Sequence, residues 1–456
     1  MADPPEASAA AGPTLGSPNA GHREGPANVL RVEAFRSLET ARHLAAAVDS
    51  LNAASRRPSP FGAFRYLETF LAHDEFAKAG TQPLLLAAFR GGDLAGFLPL
   101  RRRRLRPLGV PCTKIEFLVT HDVERPSMAA RPEDEPLCNE AFWRHLVDRE
   151  PGWSLVELME QEGESPLLPP AWVTEHGFWL RRFENLPNST LQLGYADSAA
   201  YYRSLGSSRR AALRHAVSRL LQAGEIEEVH SADPRALPRL LDLYLDVEAR
   251  SWKAGTSAPI ARHRERLAFF RDLSREGQVP ALRHRFLLLD GLPIAAQMNG
   301  VFGRTEYGLE MAFDEDYREL APGNVMVLLA ITDAIAEGRG ELNMLNNFAR
   351  QKEHWRATVT DTWAIQVFRR RSAWSLRASL GNLRRRVVRS GPSQRDAEVN
   401  LTRPKDRCGG DGPRPARAEE RARCRETLAA LEREGSLVRH RRGEALLAVL
   451  PFHSAG

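Results

Sequence analysis

The chain repeats one order of predicted elements, and this repeat constrains its fold more than any other feature. Each half reads as a strand, helical segments, a three-stranded meander, then helix, strand, helix and strand. Tight turns mark the two meanders, Gly91-Gly92-Asp93 in the first half and Asp290-Gly291 in the second. Because the order recurs without matching residues, we interpret the chain as a duplicated α/β (α+β) unit, each copy a mixed, mostly antiparallel sheet flanked by helices.

Length and composition divide the chain into five segments. At 456 residues it exceeds one ordinary hydrophobic core, so two domains with tails are expected. The N-terminal stretch is rich in Pro, Ala, Gly and Ser and lacks the pattern of a secretory signal. In chain order we predict a disordered leader over 1–28, a first unit over 29–190, a second unit over 195–374, a basic linker over 375–420 and a small helix–hairpin appendage over 421–456.

Charge and cysteine content limit the partners. The formal charge of +6 permits binding to phosphates or nucleic acid without selecting either. The four cysteines are scattered, so neither a zinc site nor a disulfide framework is expected, and the pattern is typical of a reducing cytoplasm. The longest apolar run, Val325 to Ile335, is too short to cross a bilayer. We expect a cytoplasmic protein with no transmembrane segment and no metal.

The segment from Phe313 to Gly338 changes from acidic, turn-forming residues to an almost continuous apolar run. Ala321-Pro322-Gly323-Asn324 and Val325 join the two parts, at the expected start of a helix. The first turn of a helix has free N–H groups and a partial positive charge, which suit a pyrophosphate. Gly323 would let the backbone approach the phosphates, and Asn324 would cap the helix. The alternative is an ordinary α/β crossover that begins at Pro-Gly.

Four motifs carry a resemblance to a known family: "YYRSLGSSRRAALRHAVSRL", "LLLDGLPIAAQMNGVF", "ELAPGNVMVLLAITDAIAEG" and "ELNMLNNFARQKEHW". Through them the second half resembles the GNAT acetyltransferase fold. From Val29 to Arg371 the chain resembles the BioF-like/CelD-type acetyltransferases, which are related to the FemAB transferases. The resemblance implies tandem units and an acyl-CoA donor whose pyrophosphate binds at Ala321–Val325. In this chain only Ala321–Asn324 remains of the family's Arg- or Gln-led, glycine-spaced loop.

Acyl transfer needs a base for the acceptor and a group that protonates the leaving thiolate. A strand period of two in "TEYGLEMAFD" predicts one apolar face (Tyr307, Leu309, Met311, Phe313) and one small, acidic face (Glu306, Gly308, Glu310, Ala312, Asp314). The acidic face suits a cleft. Glu310 is therefore the first candidate general base and Asp314 the second; a strand with one solvated face is the alternative.

Further candidates lie near these residues in sequence. Gln297 and Asn299 share one face of the preceding strand, where they would bind substrate or serve as structural amides. Lys352 matches the family's lysine, is assigned to the catalytic residues and would contact phosphate or carboxylate, unless it is an ordinary surface lysine. Trp355 of the same motif is assigned to the substrate site. Gly323→Val is expected to abolish CoA binding at little cost in melting temperature.

The first half has no glycine loop at the equivalent place. "FLVTHDVERPSMAARP" is charged and rich in proline there. We therefore expect that this half has lost donor binding and shapes the acceptor cleft, with His121 and Asp122 facing it.

The leading hypothesis is an acyl-CoA-dependent N- or O-acyltransferase. Its acceptor would be a sugar, an amino-sugar or an amine, and the resemblance alone implies exopolysaccharide, cellulose or envelope synthesis. A Fem-like transferase that uses aminoacyl-tRNA is one alternative, motivated by the tandem units and by Arg209, Arg210, Arg214 and Arg219 at helical spacing. A non-catalytic scaffold of a polysaccharide-synthesis complex is another, motivated by the reduced glycine loop. No specific DNA binding is expected.

Overall fold

The structure is a computed structural model, and it describes residues 30–73, 81–106, 109–118, 123–346, 349–370, 372 and 416–441. The leader predicted over 1–28 lies outside these residues, as do most of the predicted linker and the candidates His121 and Asp122. None of the described helices combines the length and the hydropathy that a membrane span requires.

The described part of the chain contains 16 strands and 11 α-helices. The strands are β1 (Arg31–Phe35), β2 (Thr81–Arg90), β3 (Asp93–Leu105), β4 (Cys112–Phe117), β5 (Ala129–Ala130), β6 (Trp153–Gln161), β7 (Phe178–Glu184), β8 (Asn188–Gln192), β9 (Ile226–Ser231), β10 (Ala281–Leu289), β11 (Leu292–Phe302), β12 (Thr305–Phe313), β13 (Glu341–Asn343), β14 (Thr358–Thr360), β15 (Trp363–Arg369) and β16 (Val438–Arg441). The helices are α1 (Leu38–Ala41), α2 (Ala45–Ala54), α3 (Phe64–Ala72), α4 (Glu135–Asp148), α5 (Ala171–Glu175), α6 (Ser198–Ser204), α7 (Ser207–Ala223), α8 (Leu237–Ala249), α9 (Arg264–Leu273), α10 (Pro322–Ala336) and α11 (Ala416–Arg433).

These strands form two eight-stranded sheets with one repeated plan. The first has the order β1-β2-β3-β4-β6-β15-β7, with β5 added to β3, and the second has the order β14-β8-β13-β12-β11-β10-β9-β16. In each sheet an antiparallel meander of four strands is followed by one parallel neighbour, β6 beside β4 and β13 beside β12. The duplication that the element order predicted is therefore present in the strand order.

The two sheets exchange strands across the predicted boundary. β15, at the end of the second half in sequence, inserts between β6 and β7 of the first sheet, antiparallel to both. β8, at the end of the first half, inserts between β13 and β14 of the second sheet. The predicted division placed β15 within the second unit, and the structure differs there because a strand's alternation sets which face is buried without identifying its neighbour.

The largest hydrophobic core is shared by the two units. α2 and α3 of the first unit contribute to it together with α8, α9 and strands β10 to β12 of the second. The ring of Phe61 contacts those of Tyr66 and Tyr307 edge-on, with ring centres 5.4 and 5.6 Å apart. The ring of Tyr66 contacts that of Phe269 in the same way, at 5.6 Å. Buried aromatic rings remove large apolar areas from water, so these contacts hold the units in one arrangement.

A β-bulge in β12 changes which residues share a face. Met298 pairs with Glu310 and Asn299 pairs with Gly308, so Leu309 is the extra residue. As a result Tyr307 and Leu309 pack into the shared core, while Met311 and Phe313 pack into the core beneath α10. The predicted grouping of these four apolar residues on one face is wrong, because one inserted residue reverses the alternation of a strand.

The C-terminal residues join the second sheet. β16 pairs antiparallel with the edge strand β9, and α11 buries Cys424, Leu428 and Leu431 in the shared core. α11 begins at Ala416, inside the segment predicted as linker, and residues 442–456 of the predicted appendage lie outside the described residues.

The strand exchange makes the first unit depend on residues near the end of the second. Val367 of β15 is buried in the core of the first unit, so Val367→Ala should lower the free energy of unfolding by about 2 kcal/mol. Hydrogen exchange should accelerate in β6 and β7 and change little in β12 and β13. Val359→Ala, on half-buried β14 of the second sheet, is the matched control. Faster hydrogen exchange confined to β12 and β13 would contradict a role of β15 in stabilising the first sheet.

Candidate active site at the junction of the two units

The pairing of β12 with β13 is short, and the space beyond its end is the candidate cleft. The two strands pair in parallel only from Thr305 to Tyr307 and from Glu341 to Asn343. We call the space beyond this pairing the divergence cleft; it begins at Gly308 on β12. After β4 the first unit folds back to β5, and this connection brings Glu124 close to Asn343 and Lys352. Both units therefore contribute side chains to the cleft.

Glu124 is a buried carboxylate with unusual acid–base behaviour. Its side chain is 4% exposed, and burial raises its pKa from 4.5 to about 7, with Arg125 opposing and Glu160 adding to the shift. Asn343 lies near enough to favour the ionised form, but no hydrogen bond of ordinary geometry from a described residue reaches either carboxylate oxygen. Such a group can accept a proton near neutral pH.

Lys352 lies close to Glu124, and its pKa is shifted toward that of Glu124. It belongs to the 3₁₀ helix Ala349–Trp355, and its Nζ donates to the backbone carbonyls of Met344 and Leu345. Burial lowers the pKa of Lys352 to about 8, and the charge of Glu124 acts in the opposite direction. Two neighbouring groups that titrate around neutral pH are typical of an acid–base pair in an active site.

Strained backbone holds the walls of the cleft. Arg125, Glu160 and Leu345 have φ values of 45°, 55° and 60°, in the left-handed region that non-glycine residues rarely adopt. The carboxylate of Glu160 ties two of these segments together, since it accepts from the N–H of Arg125 at 3.2 Å and from the side chain of Asn346 at 2.9 Å. Clustered backbone strain is characteristic of functional sites.

The exchanged strand β8 also reaches the cleft. Asn343 Oδ1 accepts from the N–H of Leu345 at 2.9 Å and from Asn188 Nδ2, on β8, at 3.4 Å. These donors determine the orientation of the Asn343 amide. The cleft therefore depends on the strand exchange as well as on the two sheets.

The start of α10 differs from the predicted phosphate loop in two respects. Gly323 is buried, and a Cβ there would lie 3.2 Å from Phe313 Cδ1 and 3.7 Å from Met311 Cε, so glycine is needed for packing of the helix on β12. Ala321, with φ of 51°, is the N-cap and provides no side-chain hydrogen bond. The prediction that Asn324 caps the helix is wrong, because its Oδ1 accepts from Arg209 at 3.1 Å.

Arg209 places a cation at this helix terminus. Its guanidinium lies 3.7 Å from the ring centre of buried Trp355, and burial lowers its pKa to about 10. Trp355 thus contacts Arg209, and its carbonyl accepts from Tyr201 at 3.0 Å. The predicted basic stripe is divided, because Arg210 donates to backbone carbonyls within its own segment. The α10 terminus with Arg209 suits an anion such as a pyrophosphate.

The two acidic candidates of β12 have other partners. Glu310 accepts from Lys253, from Arg266 and from the hydroxyl of Tyr244 at 3.4 Å. Asp314 accepts from Arg250 Nε at 2.9 Å and caps the 3₁₀ helix Glu315–Leu320. These partners come from α8, α9 and the segments that follow α8, not from the walls of the divergence cleft. Catalysis by Glu310 or Asp314 stays a prediction, and the geometry favours Glu124.

Sequence reasoning did not single out Glu124. It did predict that the segment after β4 faces the cleft, and it selected His121 and Asp122 from that segment. Burial next to Asn343 and Lys352 distinguishes Glu124, and these neighbours lie more than 200 positions away in the chain. Gln297 and Asn299 lie near Gly308, on the α10 side, and substrate binding by this pair stays a prediction.

The first unit is poorly suited to bind a second donor. Its α4 corresponds in order to α10, but the start of α4 carries the buried acids Asp134 and Glu135. Arg90 and Arg56 pair with these carboxylates. Negative charge at a helix N-terminus already offsets the partial positive charge that would attract phosphate.

One group of side chains has the spacing of metal ligands. Ligand atoms of Glu228, His230 and Asp333 lie within 4.8 Å of one another. Arg285, which is buried, donates to Glu228 at 2.7 Å and to Asp333 at 2.8 Å. A guanidinium therefore already provides the positive charge that this group requires.

Comparisons with known proteins connect this geometry to a family. Residues 207–356 match the model of a family described as an acetyltransferase (GNAT) domain. Similar solved structures include FemX (12% identity, 73% of this chain and 96% of that chain covered, TM-score 0.39). They also include L-PGS from Bacillus licheniformis (13%, 71% and 96%, TM-score 0.40) and a tandem GNAT protein from the clavulanic acid biosynthesis pathway (14%, 74% and 98%, TM-score 0.38). A comparison with proteins of curated function found no match. With identities and TM-scores this low, the structural likenesses carry no argument about function.

The family match confirms two predictions. The matched segment, about one third of the chain, is a GNAT domain, and the first unit repeats its strand order, which confirms the tandem α/β fold. The GNAT domain over residues 207–356 supports the prediction that the protein is a transferase. The BioF-like/CelD-type assignment stays a prediction.

Ionisation of Glu124 should appear in the stability of the protein. Its folded pKa lies above its unfolded value of 4.5, so its contribution to stability is complete below pH 4.5 and is lost as the pH rises through about 7. Glu124→Gln removes this titration. Relative to wild type, the variant should gain about 3 kcal/mol of unfolding free energy over this range, measured by denaturant titration at several pH values.

The contribution of Lys352 to stability is lost as the pH falls from 10.5 through about 8. The change in stability between pH 4.5 and 7 is therefore assigned to Glu124. Exposed Glu175→Gln is the matched control. Parallel pH profiles of Glu124→Gln and wild type would contradict the assigned pKa.

The packing of Gly323 revises the expected effect of Gly323→Val. A branched side chain must displace Phe313, so the free energy of unfolding should fall by about 1–3 kcal/mol, together with any affinity for CoA. Thermal melting and CoA titration measure the two effects. Asn324→Ala, which removes the Arg209 contact without adding volume, should retain more of the stability. An unchanged melting temperature with lost CoA binding would restore the earlier expectation.

Proposed function

We propose that the protein transfers an acyl group from acyl-CoA to an amine or hydroxyl group of an acceptor bound between the two units. The observation that carries the proposal is Glu124, a buried carboxylate that titrates near pH 7 beside the cleft of the GNAT domain. A base of this pKa is suited to remove a proton from an attacking amine or hydroxyl at neutral pH.

The reaction balances with groups of this chain. The acceptor's nitrogen or oxygen attacks the thioester carbonyl while Glu124 takes its proton. The new C–N or C–O bond forms, the C–S bond breaks, and protonated Lys352 supplies a proton to the leaving thiolate. The pKa of Lys352, lowered to about 8, suits this transfer, since a thiol has a pKa near that value.

The donor's pyrophosphate would bind at the N-terminus of α10. Two features favour this arrangement: the partial positive charge of the helix terminus, and the guanidinium of Arg209 held between Trp355 and Asn324. Pro322 has no N–H, and the N–H groups of Ala321 and Asn324 donate to the carbonyls of Arg318 and Ala321, so the phosphates would contact this terminus through the N–H of Gly323.

The acceptor would be a sugar, an amino-sugar or an amine. Its entry between the units is supported by the residues that the first unit contributes, Glu124 and Arg125, while envelope or exopolysaccharide synthesis rests on the family resemblance alone. Aminoacyl-tRNA is a second candidate donor, favoured by the exposed Arg214 and Arg219 on α7, the helix that also carries Arg209.

Thiol release tests the function directly. Full-length protein would be incubated with acetyl-CoA and glucosamine or a simple primary amine, and free CoA would be measured over time. Acceptor-dependent CoA release supports the proposal. Salt-sensitive binding of aminoacyl-tRNA with transfer of its aminoacyl group, and no reaction with any acyl-CoA, would select the second candidate. Activity with neither donor would contradict both.

The pH dependence of the rate provides a sharper prediction. If Glu124 acts ionised and Lys352 acts protonated, kcat/KM should rise through about pH 7 and fall through about pH 8. Glu124→Gln should remove the rising limb and lower the rate by roughly 10²–10⁴-fold, with donor binding retained. Glu310→Gln is the matched comparison. If Glu310→Gln alone produces this loss, then the base is Glu310 and the assignment to Glu124 is wrong.

A further inference from the structure

Buried hydrogen-bond acceptors lie at the closed end of the divergence cleft, on the α10 side and next to Gly308. We propose that the acyl group transferred at this site carries a hydrogen-bond donor, a hydroxyl or an ammonium group, and is not a simple alkanoyl group. This inference rests on the proposed acyl transfer and specifies its donor substrate.

Three buried polar residues form the acceptor set. Glu306 is 0% exposed, Asn299 is 2% exposed and Gln297 is 7% exposed. Among the described residues, no hydrogen bond reaches Glu306 Oε2, Asn299 Oδ1 or Gln297 Oε1. Buried polar atoms in folded proteins almost always have a partner, so these three atoms point to a bound group that donates.

The orientation of the Asn299 amide follows from its contact with Glu306. Asn299 Nδ2 donates to Glu306 Oε1 at 2.5 Å, which fixes Asn299 Oδ1 as the free atom of that amide. An ionised carboxylate accepts hydrogen bonds and cannot donate them. The nearby cation Arg283 donates with both terminal nitrogens to Glu337, at 2.6 and 2.9 Å. Its interaction with Glu306 is electrostatic.

Gly308 lies next to these acceptors, with space for a methyl group between them. A Cβ built there would lie 3.8 Å from the carbonyl oxygen of Asn343, 3.9 Å from Gln297 Nε2 and 4.0 Å from Asn299 Oδ1. Gly308 is also the first residue of β12 beyond its pairing with β13, where a thioester in the divergence cleft would present its acyl group. The acyl group would therefore lie against acceptor atoms.

The energetic consequence is selectivity. An apolar acyl chain would bury these acceptors without partners, whereas a donor-bearing chain would satisfy them. Sites that are built to hydrogen-bond a substrate group reject the analogue that lacks it, far more strongly than an apolar pocket distinguishes one methylene. A water molecule that stays with the acceptors is the competing occupant, and it would remove this selectivity.

Isosteric donors test the proposal. Calorimetry with full-length protein would compare 3-hydroxybutyryl-CoA, β-alanyl-CoA, butyryl-CoA and CoA, so that no acceptor needs to be known. We expect at least one donor-bearing acyl-CoA to bind about tenfold or more tightly than butyryl-CoA. The hydroxyl and ammonium arms distinguish the two donor groups. Glu306→Gln should reduce this preference by about tenfold or more.

A second variant keeps the test independent of the stability of Glu306→Gln. Gly308→Ala adds a methyl group at ordinary contact distance, so the melting temperature and the affinity for CoA should stay the same. The added methyl group should weaken binding of all three acyl-CoA compounds, because it occupies space next to the acyl group. Gly92→Ala, in the β2–β3 turn with open space around it, is the matched control. Equal affinities for butyryl-CoA and both donor-bearing compounds would overturn the inference alone. No binding of CoA or any acyl-CoA would overturn the proposed function and the inference with it.

Discussion

The shared hydrophobic core between the two units is the constraint on which the rest of the structure depends. Aromatic contacts from Phe61 through Tyr66 to Phe269 join helices of the first unit to helices and strands of the second. The exchange of β8 and β15 adds backbone hydrogen bonds across the same division. Because neither sheet is complete with strands of its own half, the units are expected to fold as one cooperative body, and the cleft between them has fixed walls.

That fixed geometry explains the acid–base character of the cleft. Glu124 comes from the first unit and Lys352 from the second, and both are buried where the two units meet. Desolvation moves both pKa values toward neutrality, which a solvent-exposed loop would not achieve. The left-handed residues Arg125, Glu160 and Leu345 cost conformational energy, and the surrounding packing offsets that cost. Stability of the shared core and function of the cleft are therefore linked.

Several features could be predicted from the sequence because they depend on local patterns. The turns Gly91-Gly92-Asp93 and Asp290-Gly291 lie in the β2–β3 and β10–β11 connections, and the apolar run after Pro322 is the buried helix α10. Gln297 and Asn299 share one face of β11 near Gly308, as the strand period predicts, while substrate binding by them stays a prediction. Glu310 was selected for its place on a strand, yet its oxygens accept from Lys253 and Arg266, and no local pattern links residues that lie so far apart in sequence.

The sequence by itself determined the kind and order of the elements, since periodicity, turn residues and apolar runs act within a few positions. Tertiary structure alone decided which sheet receives β8 and β15, where the bulge at Leu309 reverses the faces of β12, and which carboxylate is buried at the junction. The physical reason is that strand pairing, desolvation and ion pairing depend on neighbours in space. The sequence shows only a carboxyl group, and its burial in the folded chain is what raises its pKa to about 7.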